Sequence, residues 1–219
     1  MSFDDARKIV LDACLTLADS GYLAGVGGNV ALRIDRWHFA VTPSGADYYA
    51  MSPEDIPVLT MADLDVVVGA RRPSVESALH ARVFLAREDV FASVHTHQPV
   101  ASAVALLRRS IVVPGAEAAS ALGPCIETVA YAPSGTGLLV RALGRRLKPN
   151  INAYLLGNHG LLCVGPTMQA AIARVELVER VASRFLENAM PSRADSKLHT
   201  IARAGLALTK TALTKTRSP

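Results

Sequence analysis

The chain has 219 residues and a mass of 23.2 kDa, and half of its residues are apolar. This length fits one domain with a sizeable core, and the apolar fraction excludes a chain that is disordered throughout. The formal net charge of +4 does not indicate a nucleic-acid partner, because five of the 23 basic residues follow Asp195 with no acidic residue among them. The rest of the chain is close to neutral.

Three cysteines, Cys14, Cys125 and Cys163, lie far apart and form no CxxC pair. This spacing argues against a disulfide framework and against a cysteine zinc site. No apolar run approaches the ~18–20 residues of a membrane span, and the N-terminus lacks the basic-then-apolar layout of a secretory signal. We therefore expect a cytoplasmic protein with neither a nucleic-acid nor a membrane partner.

Hydrophobic periodicity and turn signals predict helices and strands that alternate along most of the chain. In chain order the elements are a helix at residues 4–19, strands at 30–34, 37–42 and 64–68, a helix at 74–86, a strand at 91–97, a helix at 100–107, a strand at 125–131, a helix at 134–147, strands at 153–156 and 161–164, and a long helix at 167–189.

This alternation, with antiparallel hairpin signals near the start, predicts an α/β fold. We expect three layers, α/β/α, around a central mixed and largely antiparallel sheet. Residues 1–192 are predicted to form this domain, and residues 193–219 a basic C-terminal tail. The tail repeats the sequence ALTKT exactly and is expected to be flexible.

Three of the six histidines stand where a metal site would need them. His95 and His97 are two residues apart at the end of a predicted strand, so the alternation of side chains places both imidazoles on one face. His159 lies in a polar insert between two apolar strands, where Gly160 gives the backbone room to present the ring. Three histidine nitrogens leave a coordination position open, as catalytic zinc sites do. The pattern predicts a divalent-metal site; the alternative for the pair alone is two satisfied strand histidines.

Glu76 is the fourth candidate, because it follows the Pro73-Ser74 break in the first turn of a predicted helix with Ser74 as its N-cap. The helix macrodipole stabilises a carboxylate at this position. The alternative is a surface acid that merely favours the helix. His80 lies one turn further along the same face and is expected to serve packing.

Three turns rich in small residues, at 27–29, 43–45 and 73–74, offer backbone N–H groups. Such turns form nests for an anion, and a helix that starts at Ser74 would add a favourable dipole. Each of them by itself is also an ordinary turn. None matches a Walker or dinucleotide fingerprint, which argues against ATP and NAD.

Five segments occur in an order that is typical of one family. They are GGNVALR at 27–33, TPSG at 42–45, PSVESALH at 73–80, VHTHQP at 94–99 and LLGNHG at 155–160. Over residues 5–190 the chain resembles the class II aldolase/adducin family, and within it the L-fuculose-phosphate aldolases. The resemblance implies a three-layer α/β/α fold, a sugar-phosphate substrate and a homotetramer with active sites between subunits.

The resemblance also assigns roles to residues. His95, His97 and His159 match the family's divalent-metal ligands, normally Zn²⁺, although three nitrogen ligands alone also admit Mn²⁺ or Fe²⁺. Glu76 matches the general acid/base of the aldolases. The residues that match phosphate-binding positions are Gly28, Asn29, Ser44, Gly45 and Ser74.

The implied reaction is reversible cleavage of a ketose 1-phosphate to dihydroxyacetone phosphate and an aldehyde, through an enediolate that the metal stabilises. The chain departs from the family pattern in three places. Val75 stands where a second serine is common, residues 111–123 contain no tyrosine where the fuculose enzyme has a proton donor, and the tail beyond Ser192 also lacks a tyrosine. These departures bear on substrate specificity.

The same scaffold also serves sugar-phosphate dehydratases, decarboxylases and epimerases. The first two use the same histidines with a glutamate and stay open, whereas the epimerases carry aspartate at the position of Glu76. A non-catalytic binding module like the adducin head lacks the metal histidines. The intact set in this chain therefore favours an enzyme.

Overall fold

The computed structural model describes residues 1–23 and 27–189. Its helices are α1 Phe3–Asp19, α2 Ser77–Ala86, α3 Pro99–Ala105, α4 Ala116–Leu122, α5 Gly137–Gly144 and α6 Met168–Ala189. Its strands are β1 Asn29–Arg33, β2 His38–Val41, β3 Val58–Thr60, β4 Val66–Val68, β5 Ala92–Thr96, β6 Ile111–Val112, β7 Cys125–Val129, β8 Ala153–Leu156 and β9 Gly160–Gly165.

The strands form one sheet in the order β4-β3-β2-β1-β5-β9-β8-β7-β6. Neighbouring strands are antiparallel except for β7 and β8, which pair in parallel through the connection that contains α5. Short turns join antiparallel pairs such as β1 with β2 and β8 with β9, whereas a parallel pair requires a crossover. The predicted mixed, largely antiparallel sheet is confirmed.

Helices cover both faces of the sheet, because residues that alternate along each strand point to opposite sides. On one face α1, α3, α4 and α6 pack over an apolar cluster that includes Val30 of β1. On the other face α2 and α5 pack over a second cluster that includes the next residue, Ala31. The predicted three-layer α/β/α architecture is thereby confirmed.

The structure differs from the prediction at the start of α2. Ser74 does not cap the helix: α2 begins at Ser77, and Glu76 occupies the N-cap position with a φ of −101°. The Ser74 hydroxyl oxygen instead accepts a hydrogen bond from the Glu76 backbone N–H at 3.2 Å. The turn therefore ends at Glu76, immediately before the helix, and the Glu76 side chain faces the sheet.

Several short elements were predicted incorrectly or not at all. The strand at 64–68 begins only at Val66, because Leu64 adopts a φ of 63° in the preceding turn. The elements β3, β6 and α4 were not predicted at all, and the first two have three and two residues. An alternating or helical pattern needs a longer window than this to be readable.

Sheet register positions the residues of the site. Asn29 at the start of β1 pairs with His95 of β5, so the two side chains lie side by side on the face that α2 covers. Ser93 precedes His95 by two residues and points to the same face. The turn between β8 and β9 brings His159 next to the end of β5, with Asn158 in the left-handed region at a φ of 55°.

The predicted tail at residues 193–219 lies outside the described residues, and the domain boundary at residue 192 stays a prediction. Within residues 1–23 and 27–189, the helices are too short or too polar to span a bilayer.

Candidate metal centre

The imidazoles of His95, His97 and His159 converge at one end of the sheet. The Nε2 atom of His95 lies 2.9 Å from Nε2 of His97 and 3.3 Å from Nε2 of His159. One ligand atom from each ring falls within 4.8 Å of the other two. The structure therefore brings the pair on β5 together with a histidine that follows it by more than 60 residues.

The protonation of His95 suits a metal ligand. Its Nδ1–H donates to the Leu161 carbonyl at 2.8 Å, which leaves the lone pair on Nε2 directed at the other two rings. Burial lowers the pKa of His95 to about 3, so this ring is neutral near pH 7. Burial, with the neighbouring His159, also lowers the pKa of His97. Neutral imidazole is the form that binds a metal.

The spacing of the three nitrogens fits a small divalent cation. Nitrogen ligands at about 2.0–2.1 Å from a tetrahedral cation lie about 3.3–3.4 Å from one another. The separation of 3.3 Å between His95 and His159 matches this value, and the 2.9 Å between His95 and His97 is slightly shorter. The donor set and its spacing therefore fit a metal such as zinc.

Gly160 makes this convergence possible. A Cβ atom at this position would lie 2.5 Å from the Thr96 carbonyl oxygen and 2.7 Å from Cδ2 of His97. It would also come within 3.2 Å of Cε1 of His95. Any side chain would displace two of the three imidazoles, so the close approach of β9 to β5 requires glycine here.

The Glu76 carboxylate completes the cluster from the helix side. It is 6% exposed, with Oε2 at 3.3 Å from Nε2 of His95 and Oε1 at 3.4 Å from Nε2 of His159. The Asn29 amide donates to Oε2 and the Ser134 hydroxyl donates to Oε1, each at 2.8 Å. Both oxygens of the carboxylate are therefore fixed at once.

The environment keeps Glu76 ionised. Burial raises the pKa of its carboxyl, but the hydrogen bonds that Asn29 and Ser134 donate to it lower the pKa. The net effect is a pKa below the ordinary value for glutamate. A buried carboxylate beside three imidazoles therefore stands ready either to bind a cation or to accept a proton.

The loops that were predicted to hold phosphate lie side by side. Thr42 connects the loop at 27–29 with the loop at 43–45, because its backbone N–H donates to the Val30 carbonyl at 3.0 Å. The Ser74 N–H donates to the Thr42 carbonyl at 3.0 Å, and the Ser44 N–H to the Arg72 carbonyl at 2.9 Å. Ser44 and Gly45 are exposed at the rim. The structure thus brings the three loops together, and their role in phosphate binding stays a prediction.

Of the predicted phosphate residues, Gly28 is partly buried and Asn29 is buried. Gly28 has a φ of 90°, and a Cβ atom there would lie 2.7 Å from the His95 carbonyl oxygen. The Asn29 side chain is buried, and its amide bridges Glu76 and His80. Through its side chain Asn29 therefore serves the carboxylate rather than the rim.

Ser134 is a contact of Glu76 that the sequence analysis missed. It was placed at the start of a predicted helix, whereas α5 begins at Gly137 and Ser134 lies in the preceding turn. Its hydroxyl meets Glu76 across 58 residues of chain. No local pattern links two such positions, so the sequence carried no signal for this contact.

Comparisons with known proteins identify the family of this chain. Residues 8–186 match the family model for the class II aldolase and adducin N-terminal domain. A 5-deoxy-D-ribulose 1-phosphate aldolase of Bacillus thuringiensis serovar kurstaki is 33% identical over 172 residues, covering 78% of this chain and 79% of that protein. A methylthioribulose-1-phosphate dehydratase of Serratia proteamaculans is 28% identical over 190 residues, covering 82% of this chain and 93% of that protein.

The fold of the chain also matches solved structures. A solved structure of an L-fuculose 1-phosphate aldolase matches with a TM-score of 0.79 at 28% sequence identity, covering 91% of this chain and 95% of the other. The family match begins within α1 and ends within α6, so it includes every residue of the histidine cluster and Glu76. The chain belongs to the class II aldolase/adducin family.

Proposed function

We propose that this protein is a metal-dependent aldolase that reversibly cleaves a ketose 1-phosphate to dihydroxyacetone phosphate and an aldehyde. The observation that carries the proposal is the convergence of three imidazoles and one ionised carboxylate at a sheet end. The 33% identical relative is named for a 5-deoxypentulose 1-phosphate, which supports a substrate of this class. The aldehyde product would then be small and apolar.

His95, His97 and His159 would hold the cation, and we propose Zn²⁺ because three neutral nitrogens with an open position suit that metal. When bound, the metal supplies Lewis acidity to oxygen atoms of the substrate. The Leu161 carbonyl fixes the tautomer and the orientation of the His95 ring. The histidines themselves exchange no proton in this account.

Glu76 would move the proton. Breaking the C3–C4 bond of a ketose 1-phosphate leaves electrons on C3, which must be protonated to give dihydroxyacetone phosphate. The ionised carboxylate of Glu76, fixed beside the histidines, would first accept the proton of the C4 hydroxyl as the C3–C4 bond breaks and the aldehyde carbonyl forms. It would then pass that proton to C3, and the reverse reaction would move the same proton the other way. Asn29 and Ser134 keep both oxygens oriented for this task.

The rim would bind the phosphate. The Ser74 hydroxyl oxygen accepts from the Glu76 N–H, so its own hydrogen remains available to a phosphate oxygen. Ser44 and Gly45 are exposed beside it. Anchoring the unreactive end here orients the reacting carbons toward Glu76.

We further propose that the protein acts as a homotetramer in the cytoplasm. Exposed apolar side chains such as Val112, which is 80% exposed, support burial in an assembly. Cys14, Cys125 and Cys163 are free thiols, which supports a reducing compartment.

Dehydration of a methylthioribulose phosphate is the second candidate, because the dehydratase of S. proteamaculans covers 82% of this chain at 28% identity. The two reactions differ in their products. An aldolase divides the carbon chain and releases dihydroxyacetone phosphate, whereas a dehydratase keeps all the carbons and loses one water.

Product analysis by mass spectrometry tests the proposal on 5-deoxypentulose and 5-methylthiopentulose 1-phosphates. We expect dihydroxyacetone phosphate with the first substrate, abolished by a chelator and restored by Zn²⁺. We expect Glu76→Gln to lower kcat by about 10²–10⁴-fold with the metal still bound, because the amide cannot carry the proton. A dehydrated product without carbon–carbon cleavage would replace the aldolase by the dehydratase. Activity that is indifferent to metal removal would end both.

A further inference from the structure

His80 is a buried histidine that the proposed reaction does not use. It lies on α2 one turn after Glu76, is 0% exposed and faces the sheet. Its Nδ1 lies 2.7 Å from the Ser93 hydroxyl, and its Nε2 lies 2.6 Å from Oδ1 of Asn29. The same Asn29 amide donates to Glu76 through Nδ2 at 2.8 Å. A continuous chain of hydrogen bonds therefore runs from Ser93 to the carboxylate.

The direction of every hydrogen bond in this chain is determined. An ionised carboxylate only accepts, so the Asn29 nitrogen must face Glu76 and Oδ1 must face His80. A carbonyl oxygen also only accepts, so Nε2 of His80 must carry the hydrogen. Burial lowers the pKa of His80 to about 4, which makes the ring neutral and leaves Nδ1 to accept from the Ser93 hydroxyl. Only the Nε2–H tautomer satisfies both hydrogen-bond partners of the ring.

We propose that His80 is a positioning residue that acts on Glu76 through Asn29, a role that rests on the proposed function. The side-chain amide of asparagine has two faces of nearly equal shape, and a half-turn exchanges its donor for its acceptor. The Nε2–H of His80 holds Oδ1 and so keeps the amide N–H directed at Oε2 of Glu76. Without this donor, only the carboxylate itself would oppose a half-turn of the amide, and such a half-turn would place the amide oxygen against Oε2.

Sheet register and helix period place this chain of residues in the fold. Glu76 and His80 are four residues apart and lie on one face at the start of α2. Ala31 pairs with Ser93 and Asn29 with His95, so Asn29 and Ser93 lie diagonally across β1 and β5 beneath the imidazole. The packing of one helical turn on two strands thus joins the interior of the domain to the reacting carboxylate.

Two substitutions separate this role from packing. In His80→Gln, a longer amide side chain restores a donor near the position of Nε2, whereas in His80→Asn the side chain ends near Nδ1 and the donor to Asn29 is lost. We expect His80→Asn to lower kcat by about tenfold to a hundredfold with little change in KM, and His80→Gln to recover most of it. Val83→Ala, a cavity in the same helix away from the hydrogen bonds, is the matched control for lost stability.

A double-mutant cycle decides whether His80 acts through Asn29. In the Asn29→Ala background, His80→Asn should cause no further loss of kcat. Equal fold-losses in both backgrounds, a loss in His80→Asn that His80→Gln does not recover, or the same kcat loss in Val83→Ala would each overturn the proposal. The cycle uses whichever reaction the wild-type enzyme catalyses, cleavage or dehydration.

The proposal also has a readout that does not depend on activity. The ¹⁵N chemical shifts of the His80 ring in the folded wild-type protein should report the Nε2–H tautomer, and Asn29→Ala should remove that preference. An Nδ1–H tautomer in the wild type would overturn the proposal whether or not the protein is an aldolase. Failure of cleavage together with the Nε2–H tautomer would instead refute only the proposed function.

Discussion

Two buried polar clusters lie at opposite ends of α2, and they differ in how their hydrogen bonds are satisfied. At the C-terminal end, Arg87 donates to both oxygens of Asp89, to the carbonyls of Lys148 and Ile151, and to the Asn152 side chain. A guanidinium has five N–H donors, and these acceptors account for all of them. The cluster is closed within the protein.

The cluster at the N-terminal end of α2 is open. The lone pair on Nε2 of His95 faces the Nε2 atoms of His97 and His159 and a carboxylate oxygen of Glu76. Among the described residues, the three Nε2 atoms have polar contacts only with one another and with Glu76, whose oxygens also accept from Asn29 and Ser134. A buried polar cluster that the protein leaves open in this way is suited to a ligand, here a cation. The cluster around Arg87 at one end of α2 therefore serves the fold, whereas the cluster around Glu76 at the other end is suited to a ligand.

The largest effect should come from removing a histidine at the open end. We expect His159→Ala to reduce bound metal to a small fraction of the wild-type content and to lower activity by more than about a thousandfold. Elemental analysis and product assays would measure the two effects. His38→Ala, a histidine paired with Asp35 outside the cluster, is the control. Full metal content in His159→Ala would contradict the assignment of this ring.

A substitution in the closed cluster around Arg87 should lower the stability of the fold rather than the activity. Arg87→Ala would leave buried carbonyls without donors, so we expect the free energy of unfolding to fall by about 3 kcal/mol, with kcat per folded molecule unchanged. Denaturant titration would measure this. Arg71→Ala removes a half-exposed ion pair with Asp55 and should cost less than about 1 kcal/mol. Equal costs for the two arginines would show that burial of Arg87 is unimportant.

The smallest predicted effect concerns how the stability of the metal-free protein depends on pH. Burial lowers the pKa of His80 to about 4, from an ordinary value of 6.5. The unfolded chain therefore takes up a proton as the pH falls below 6.5, while the native ring stays neutral, so stability is full above this pH and declines below it. We expect His80→Gln to remove about 1 kcal/mol of the decline between pH 6.5 and 5.5.

Urea titrations of both proteins at the two pH values would measure this difference. Unchanged pH dependence in His80→Gln would contradict the neutral buried state of His80. Arg87→Ala should keep the full decline, because the closed cluster contains no group that titrates in this range. The pH response would then belong to the open end of α2 alone.

The sequence predicted most of the architecture. Helices such as α1 and α6 have clear periodicity, and β5, β8 and β9 are short runs of apolar or β-branched residues bounded by turn signals. It also grouped His95 with His97, since alternation along a strand is a local rule. His159 was added through the polar insert between two apolar strands. Each of these inferences needed only neighbouring residues.

Local sequence patterns could not predict the hydrogen bonds within the site. Asn29 meets Glu76 across 47 residues, and His80 meets Asn29 across 51 residues. These contacts depend on the register of β1 against β5 and on the packing of α2 over both strands, which a local pattern does not specify. For this reason His80 was expected only to pack, and Ser134 was not connected to the site at all.

The most direct test of the account is an anomalous difference map of crystals grown from zinc-loaded protein, recorded on both sides of the zinc edge. The account predicts one strong peak per subunit within bonding distance, about 2.0–2.1 Å, of the Nε2 atoms of His95, His97 and His159. A map without a peak between these rings, or with zinc bound only elsewhere on the chain, would contradict the claim that the three imidazoles form a metal site.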